Sequence, residues 1–486
     1  MNEINQKTPV PLRKLFDYKI FKNIYFLIVL AFSLVIFTVS VRITYSRYTN
    51  FENGKFDLGN MSQMVWNTMH GRFMYVTDYF GTNMPRWGMS HVDPFLVVFV
   101  PFMAIFKTPL VLVFGQLFLV IFSSLILYKI SELELKNKFV SMLVALSYLL
   151  YPALGYILSW TDFHGVTAVM PFFFGAFYIF ELMYKESSYT KTRLVLFWIC
   201  LILAMSGKEE IPLFTLLLGV FILFWRNNFS NFFSQLVNKA QPFRQVLKSF
   251  FSTTNAKLAV SVIVLSFIWF YYAFFVLIPS SAHLRVKGYE EFVRSIGVTP
   301  EETVSVDNEN YFLLRYEEFG SSYSEVLINM LKNPTKVVRA WTDGSKPIYF
   351  EQTFLPILYL PLLYPPIFVI AIPELIINYT STAGGVSTAN IENHRISMII
   401  VVLFIALVYG IGFISRFLQR YLKLNPSYVL SFIGILLFVI SVDKTFEYKN
   451  PVYLWMQQAL ERRIVGLVRA EENLIKDDKA FSKNLK

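Results

Sequence analysis

The chain has 486 residues, of which 55% are hydrophobic, 18% aromatic and only 16% charged, against roughly 25% charged in an ordinary soluble domain. That is too little polar surface to clothe a soluble globule, and apolar runs from end to end exclude disorder as well. The net charge of +11 comes from basic residues gathered in short loops between apolar runs, the pattern that orients a membrane protein rather than one that binds nucleic acid. The single cysteine, Cys200, lies inside an apolar run, so the sequence offers neither a disulfide nor a cysteine-based metal site.

The first apolar run, Ile24–Val41, follows Arg13, Lys14, Lys19 and Lys22. It is long enough to span, and no small-residue cleavage site follows it. It therefore reads as an uncleaved anchor with residues 1–23 in the cytoplasm of a cell bounded by this (plasma) membrane. Residues 45–93 form a first outer loop. Within it Leu58, Met61, Val65 and Met69 recur at helical spacing after Asp57. That predicts an amphipathic helix on the outer leaflet, with a carboxylate near its N-terminus. Pro94–Phe106 is too short to cross a core that needs ~20 residues, and reads as a re-entrant or interfacial helix at the outer face. Leu110–Tyr128 enters toward Lys129, Lys136 and Lys138; Phe139–Leu158 returns; Val166–Tyr184 enters again toward Lys185, Lys191 and Arg193.

Leu194–Trp225 is a hairpin with a basic residue at each end, Arg193 and Arg226. Each arm has about 16 residues, or ~24 Å of helix, short of a ~30 Å hydrocarbon core. Its tip, Gly207-Lys208-Glu209-Glu210, should sit below the outer surface. Three charges at that depth need shielding from lipid and partners of their own. One glutamate should pair with Lys208, leaving the other for a histidine, a metal or an acceptor hydroxyl. The loop Arg226–Lys257 holds five Lys/Arg and no acid, as a cytoplasmic loop should.

Leu258–Ile278 exits into the large outer loop 280–352, whose surroundings from Pro279 to Gln352 hold eight Lys/Arg against eleven Asp/Glu. Phe354–Ile377 is apolar but interrupted at Pro361, Pro365, Pro366 and Pro373. Irregular backbone at membrane depth must be buried in protein or line water, so this reads as a second broken hairpin. Asn378–Arg395 stays outside, Ile396–Ser415 enters and Tyr428–Val442 exits, leaving the charged tail 443–486 on the outer side. The expectation is an all-α integral membrane protein. About eleven transmembrane helices fall within residues 24–442, with an interfacial helix and an extracytoplasmic loop.

On this topology all five histidines, His70, His91, His164, His283 and His394, fall on the outer side. Asp57, Asp93, Asp162 and Glu392 lie beside four of them, and Glu374 follows Pro373. Ionisable groups at membrane boundaries are costly and mark functional sites. Trp66, Trp87 and Trp160 also fall outside, where indoles serve the interface belt or stack on sugars. No nucleotide-binding glycine loop, zinc-protease motif or serine elbow is present. Asn60-Met61-Ser62 and Asn378-Tyr379-Thr380 match the short glycosylation pattern.

Phe56-Asp57-Leu58-Gly59, then Gln63, Trp66-Asn67 and His70-Gly71, then His91 before Pro94, resembles the opening signature of a family of uncharacterised bacterial and archaeal multi-spanning proteins. Asp162-Phe163-His164, Lys208-Glu209-Glu210, Pro361-Leu362 through Pro373, Asn378 and His394 extend the resemblance to about Tyr409. That family is grouped with the C-type glycosyltransferase fold of protein mannosyltransferases, oligosaccharyltransferases and aminoarabinose transferases. The resemblance implies a polyprenyl-phosphate-linked sugar donor, membrane lipids as neighbours and an acceptor at the outer face. It places Asp57 where an acidic residue serves as general base or orients the acceptor, and it leaves a divalent cation open. Longer members continue into an outer domain, whereas this chain has the short tail after Asp443, implying a shortened member or an incomplete chain.

The leading expectation is therefore a membrane glycosyltransferase. Asp57 acts as base, Lys208 and Arg395 neutralise the phosphate, and His91, His164, Asp162, Glu209, Glu210, His394 and Trp66 form the substrate pocket. If a metal binds, its candidate ligands are Asp57, His91 and His164. The broken hairpins motivate the alternative, a transporter or lipid flippase without catalytic chemistry.

Overall fold

A computed structural model of the protein describes residues 22–53, 57–78, 80–159, 162–238, 242–297, 311–316, 318–381 and 388–464. Residues 1–21, Trp160 and the tail from 465 onward lie outside the described residues. Helix α1 (Ile24–Thr49) leads to α2 (Asp57–Met69) and to an antiparallel hairpin of β1 (Tyr75–Thr77) and β2 (Asn83–Pro85), in which Val76 pairs with Met84. A tight helical turn at Pro94–Phe99 runs into α3 (Val100–Phe106). Then come α4 (Leu110–Leu135), α5 (Lys138–Leu150), α6 (Pro152–Ser159), α7 (Gly165–Ala168) and α8 (Met170–Lys185). The short hairpin is α9 (Lys191–Met205) and α10 (Ile211–Trp225), and the basic loop holds α11 (Phe229–Val237) and α12 (Phe243–Ser252). Helix α13 (Thr254–Tyr271) passes through a π-helical turn at Tyr272–Leu277 into α14 (Ile278–Ser295). The next segment holds α15 (Tyr323–Lys332), α16 (Pro334–Thr342) and α17 (Lys346–Phe354), then a proline-broken stretch containing α18 (Pro365–Phe368) and α19 (Ile372–Thr380). Helices α20 (Ser397–Leu422), α21 (Pro426–Glu447) and α22 (Pro451–Ile464) follow.

Among the described residues six helices are long and apolar enough to cross a membrane, and two bent pairs, α5–α6 and α10–α11, raise the number to eight if each is one span. The expected count of about eleven is not reached among the described residues. The reason is length: α9 has 15 residues and the apolar part of the proline-broken stretch is confined to Pro365–Thr380, both short of ~20. Helix α20 is the axis. With the turn before it, 94% of its apolar stretch is buried, because it is apolar all round and packed by α4, α8, α18 and α21. The apolar face of α2 (Leu58, Met61, Met64 and Val65) is also buried in protein, with Met74, Phe95 and Met103 in the same core. The leaflet placement expected from its amphipathic spacing is thus corrected, since amphipathic spacing does not distinguish a protein neighbour from lipid.

The bend between α5 and α6 aims the chain at the site. Pro152 cannot donate to the preceding turn and disfavours helix at Tyr151, which is extended, with φ −60° and ψ 125°; the two axes differ by 52°. The freed carbonyls are satisfied by residues some 300 positions away. Tyr453 Oη donates to Leu149 O at 3.1 Å, Thr445 Oγ1 to Leu150 O at 2.6 Å, and Asn450 Nδ2 to Leu150 O and Tyr151 O at 3.5 and 3.4 Å. Gly155 leaves room for Asn450: a Cβ there would lie 1.9 Å from Asn450 Oδ1. Asn378 of the second glycosylation pattern is wholly buried.

The two ends of the bundle differ. At the end where α8 and α10 finish, Glu181 is 1% exposed and accepts from Arg226 Nε at 2.7 Å and from Tyr409 Oη at 2.8 Å. Arg226 also lies over the rings of Tyr184, Phe221 and Tyr409. Glu134 beside them pairs with Lys185 at 2.5 Å and Arg416 at 3.1 Å. Buried charges of this kind persist only when paired and hydrogen-bonded. The opposite end holds the loops described next.

The α5–α6 joint yields a double-mutant prediction. Asn450→Ala should lower stability by about 1–3 kcal/mol through unpaired carbonyls. Gly155→Ala should cost as much alone but far less in the Asn450→Ala background, where its methyl has space. Thermal unfolding of the four detergent-solubilised proteins reads the coupling, and strictly additive losses would contradict it.

Candidate functional site

The tip of the α9–α10 hairpin is buried, with Lys208, Glu209 and Glu210 at 6%, 4% and 7% exposure, and its charges are paired as the arm lengths require. Lys208 Nζ meets Glu210 Oε1 at 2.5 Å. Glu209 accepts from the Val92 amide at 2.9 Å and from His91 Nδ1 at 3.1 Å. The tip reaches this depth by a close backbone approach. A Cβ on Gly165 would lie 2.5 Å from Gly207 O, and one on Gly207 would lie 2.4 Å from a Val169 methyl.

The first loop supplies the facing wall. Arg86 clasps Asp93 through contacts of 3.2–3.3 Å, both side chains being buried. Arg285 on α14 fixes the turn between them by donating to Ser90 Oγ at 2.7 Å and Gly88 O at 3.3 Å. Burial, together with the nearby Arg86 and Lys208 charges, holds the His91 imidazole well below the usual histidine range despite Asp93 and Glu210. As a neutral ring bound to a carboxylate, it donates through Nδ1 and leaves Nε2 as an acceptor.

His164 is set by the bent α5–α6 segment. Gln116 Oε1 accepts from its backbone amide at 2.8 Å, and its Nδ1 donates to Asp162 O at 3.1 Å. Burial lowers its pKa against the opposing pull of Asp57. Nε2 therefore presents a lone pair to Asp57 Oδ2, 3.9 Å away. A hydroxyl set beside this pair can donate its one proton to either acceptor. The His394 ring stacks on His164 at 3.5 Å between centroids and 15° between planes. The Asp162 carboxylate is turned aside and accepts from Asn53 Nδ2 at 2.6 Å, so this residue positions His164 rather than lining the space.

Two cavities meet here. A polar one of about 210 Å³ is walled by Asp57, His91, His164, Lys208, His394 and Arg395, with Arg86, Asp93, Arg315 and Asn393. An apolar one of about 320 Å³ runs from Glu209, Glu210, Arg315 and Arg395 past Phe270, Phe274, Phe275 and Tyr323 to Met330 and Ile377. Arg315 and Arg395 line both. Arg395 lies 3.8 Å from the buried Glu374.

Several expectations are corrected. Trp66 lies on the exposed side of α2 against His70, with ring centroids 4.5 Å apart, and lines neither cavity. Leu58, Met61 and Val65 turn the opposite face of that helix inward. His70 and His283 are exposed and away from the site. The metal-ligand set of Asp57, His91 and His164 does not assemble, because His91 is turned to Glu209. Among the described residues, no three His, Cys, Asp or Glu side chains converge, and the polar wall carries four cations, which suits an anion. Arg86, Arg315 and Asn393 escaped sequence reading. Arg86 had a faint signal in its spacing before Asp93, whereas nothing around Arg315 in the long polar segment distinguishes it.

The chain belongs to a family of predicted membrane proteins known only as a domain of unknown function, DUF2079, whose pattern matches residues 47–474. No curated protein matches it. Among solved structures it is similar to the archaeal oligosaccharyltransferase AglB from Archaeoglobus fulgidus in complex with an inhibitory peptide and a dolichol-phosphate, at 15% identity and a TM-score of 0.46, covering 87% of this chain and 55% of that one. The same enzyme tethered to an acceptor peptide containing the NVT sequon is matched at 14% identity, a TM-score of 0.46 and the same coverage. The chain thus spans about half the length of these structures.

Lys208→Met should strand the Glu210 carboxylate in a buried site and cost about 3–5 kcal/mol. Lys208→Met combined with Glu210→Gln should recover most of that loss. Thermal unfolding in detergent separates the two, and a Lys208→Met protein as stable as wild type would mean that the tip is solvated.

Proposed function

We propose that the protein is a membrane glycosyltransferase of the C type that moves a sugar from a polyprenyl-phosphate-linked donor to an acceptor at the outer face of the cytoplasmic membrane. The observation that carries this reading is the joining of an apolar cavity to a polar one at two guanidiniums, Arg315 and Arg395. A prenyl phosphosugar needs three environments in that order. Its hydrocarbon fits against Phe270, Phe274 and Phe275, its phosphate at the planar forks of Arg315 and Arg395, and its sugar among His91, His164 and His394. The distribution of Lys and Arg assigns residues 1–23 and the Glu181–Arg226 end to the cytoplasm, and the cavities, the first loop and the large loop to the outer side.

In this mechanism the acceptor hydroxyl lies beside the Asp57–His164 pair and donates to Asp57 Oδ2. Asp57 takes the proton as the acceptor oxygen attacks the anomeric carbon. The bond from that carbon to the phosphate oxygen breaks, and the prenyl phosphate leaves with the electron pair. Arg315, Arg395 and Lys208 offset the charge that develops on it, in a site largely shielded from water. Asp162 and Gln116 hold His164, Glu209 holds His91, and Glu210 holds Lys208.

A transporter or lipid flippase is the second reading, favoured by the proline-broken stretch before α20 and by the π-helical turn, since interrupted helices build substrate sites in transporters. Against it, the polar cavity and the apolar cavity that joins it lie at one end of the bundle, and the hollow at the other end, about 680 Å³ along Ile414, Leu418, Leu424 and Phe432, shares no lining residue with either.

Transfer of radiolabelled sugar from polyprenyl-phosphate donors in reconstituted membranes tests the proposal. Asp57→Asn should lower the rate by about 100- to 10,000-fold while donor binding is kept. Full activity in that variant would remove Asp57 from the mechanism. Lipid movement across the bilayer without any transfer would favour the flippase.

A further inference from the structure

Fourteen buried side-chain polar atoms among the described residues have no hydrogen-bond partner, and seven of them lie on two helices. On α17 they are Tyr349 Oη and Thr353 Oγ1; on α19 they are both oxygens of Glu374, both amide atoms of Asn378, and Tyr379 Oη. Tyr349 and Thr353 are one turn apart, as are Glu374 and Asn378. The Tyr349 and Tyr379 rings are 5.4 Å apart, and Asn378 and Thr353 face the Tyr349 hydroxyl. The Glu374 carboxylate is the acidic member of this buried polar cluster, and a proton on it would supply a donor there. The opposite face of α19, with Ile376, Ile377 and Thr380, lines the apolar cavity. The cluster thus lies one helix away from the proposed prenyl channel.

Its link to the polar cavity is Glu374, 3 % exposed, with Arg395 at 3.8 Å, which is longer than a hydrogen bond. The charged and titratable groups that face Glu374 are Arg395 before α20, Lys208, Glu209 and Glu210 at the hairpin tip, Tyr316 and Tyr349. Lys208 is held by Glu210, and Glu209 by His91 and Val92, so Arg395 carries most of the compensation for a Glu374 charge. We propose that Glu374 is an internal anion on the phosphate subsite. It orients Arg395 while the site is empty and yields it to the donor phosphate by taking one proton. This rests on the phosphate-binding reading of the two cavities. Two anions cannot share one guanidinium at this depth without excess buried charge, and a carboxylate relieves that by protonation.

The sign of the pH dependence follows. Binding that takes up a proton weakens as pH rises, by up to about tenfold per unit where the free protein holds Glu374 ionised. Glu374→Gln removes the competitor without its charge. It should bind more tightly than wild type at about pH 8.5, by roughly tenfold or more, and without pH dependence. The probe is farnesyl methyl phosphate, a phosphodiester whose single charge does not titrate in this range. Calorimetry on the full chain in detergent, in buffers of different ionisation enthalpy, should record uptake of one proton per phosphodiester in wild type. That measurement stands even if Glu374→Gln fails to fold. Binding with no proton uptake and no pH dependence would overturn the proposal. So would a Glu374→Gln protein that binds more weakly than wild type with the same pH profile. Absence of phosphodiester binding at every pH would instead sink the phosphate reading itself, and this inference with it.

Discussion

A helical hairpin too short to cross the hydrocarbon, with three consecutive charges at its tip, is the constraint around which the site is organised. Ions at that depth have to be enclosed by protein and paired. The enclosure requires the first loop to fold inward, so that Val92 and His91 reach Glu209. It also requires two glycines, Gly165 and Gly207, where backbones cross too closely for a side chain. The Arg86–Asp93 pair and its Arg285 support follow from the same need to hold that loop in place. What results is a polar hollow inside an otherwise apolar bundle, with the hydrocarbon-lined hollow beside it.

The molecule meets the cost of buried polarity in two different ways. At the Glu181 end the buried carboxylate has partners in hydrogen-bond contact, and Arg226 packs on aromatic rings. At the other end the pairing is looser: the buried His164 ring stands 3.9 Å from the exposed Asp57 carboxylate, and Glu374 stands off from Arg395. A fully satisfied network confers rigidity, and an unsatisfied one invites a ligand. The buried axis α20 connects the two, carrying Tyr409 of the closed network and following directly from His394 and Arg395 of the open one.

Composition and helix rise alone carried the membrane class, the helical content and the burial of the hairpin tip. The pairing of Lys208 with one glutamate, and the release of the other to a histidine, were legible for the same reason. So was the convergence of His91, His164 and His394 at one end, since each borders an apolar run. Span number was less legible: a 15-residue helix and a proline-broken stretch are hydrophobic enough to resemble spans but too short to be counted as such. Only the tertiary structure decided which polar residues face the hollow. It turned Trp66 outward and Met61 inward on one helix, recruited Arg315 from a segment without a recognisable pattern and Arg86 from one with only its spacing before Asp93, and set Asp162 to hold His164. Helical periodicity states that a residue has a buried face, but whether lipid, core or cavity lies on that face depends on contacts between segments far apart in the chain.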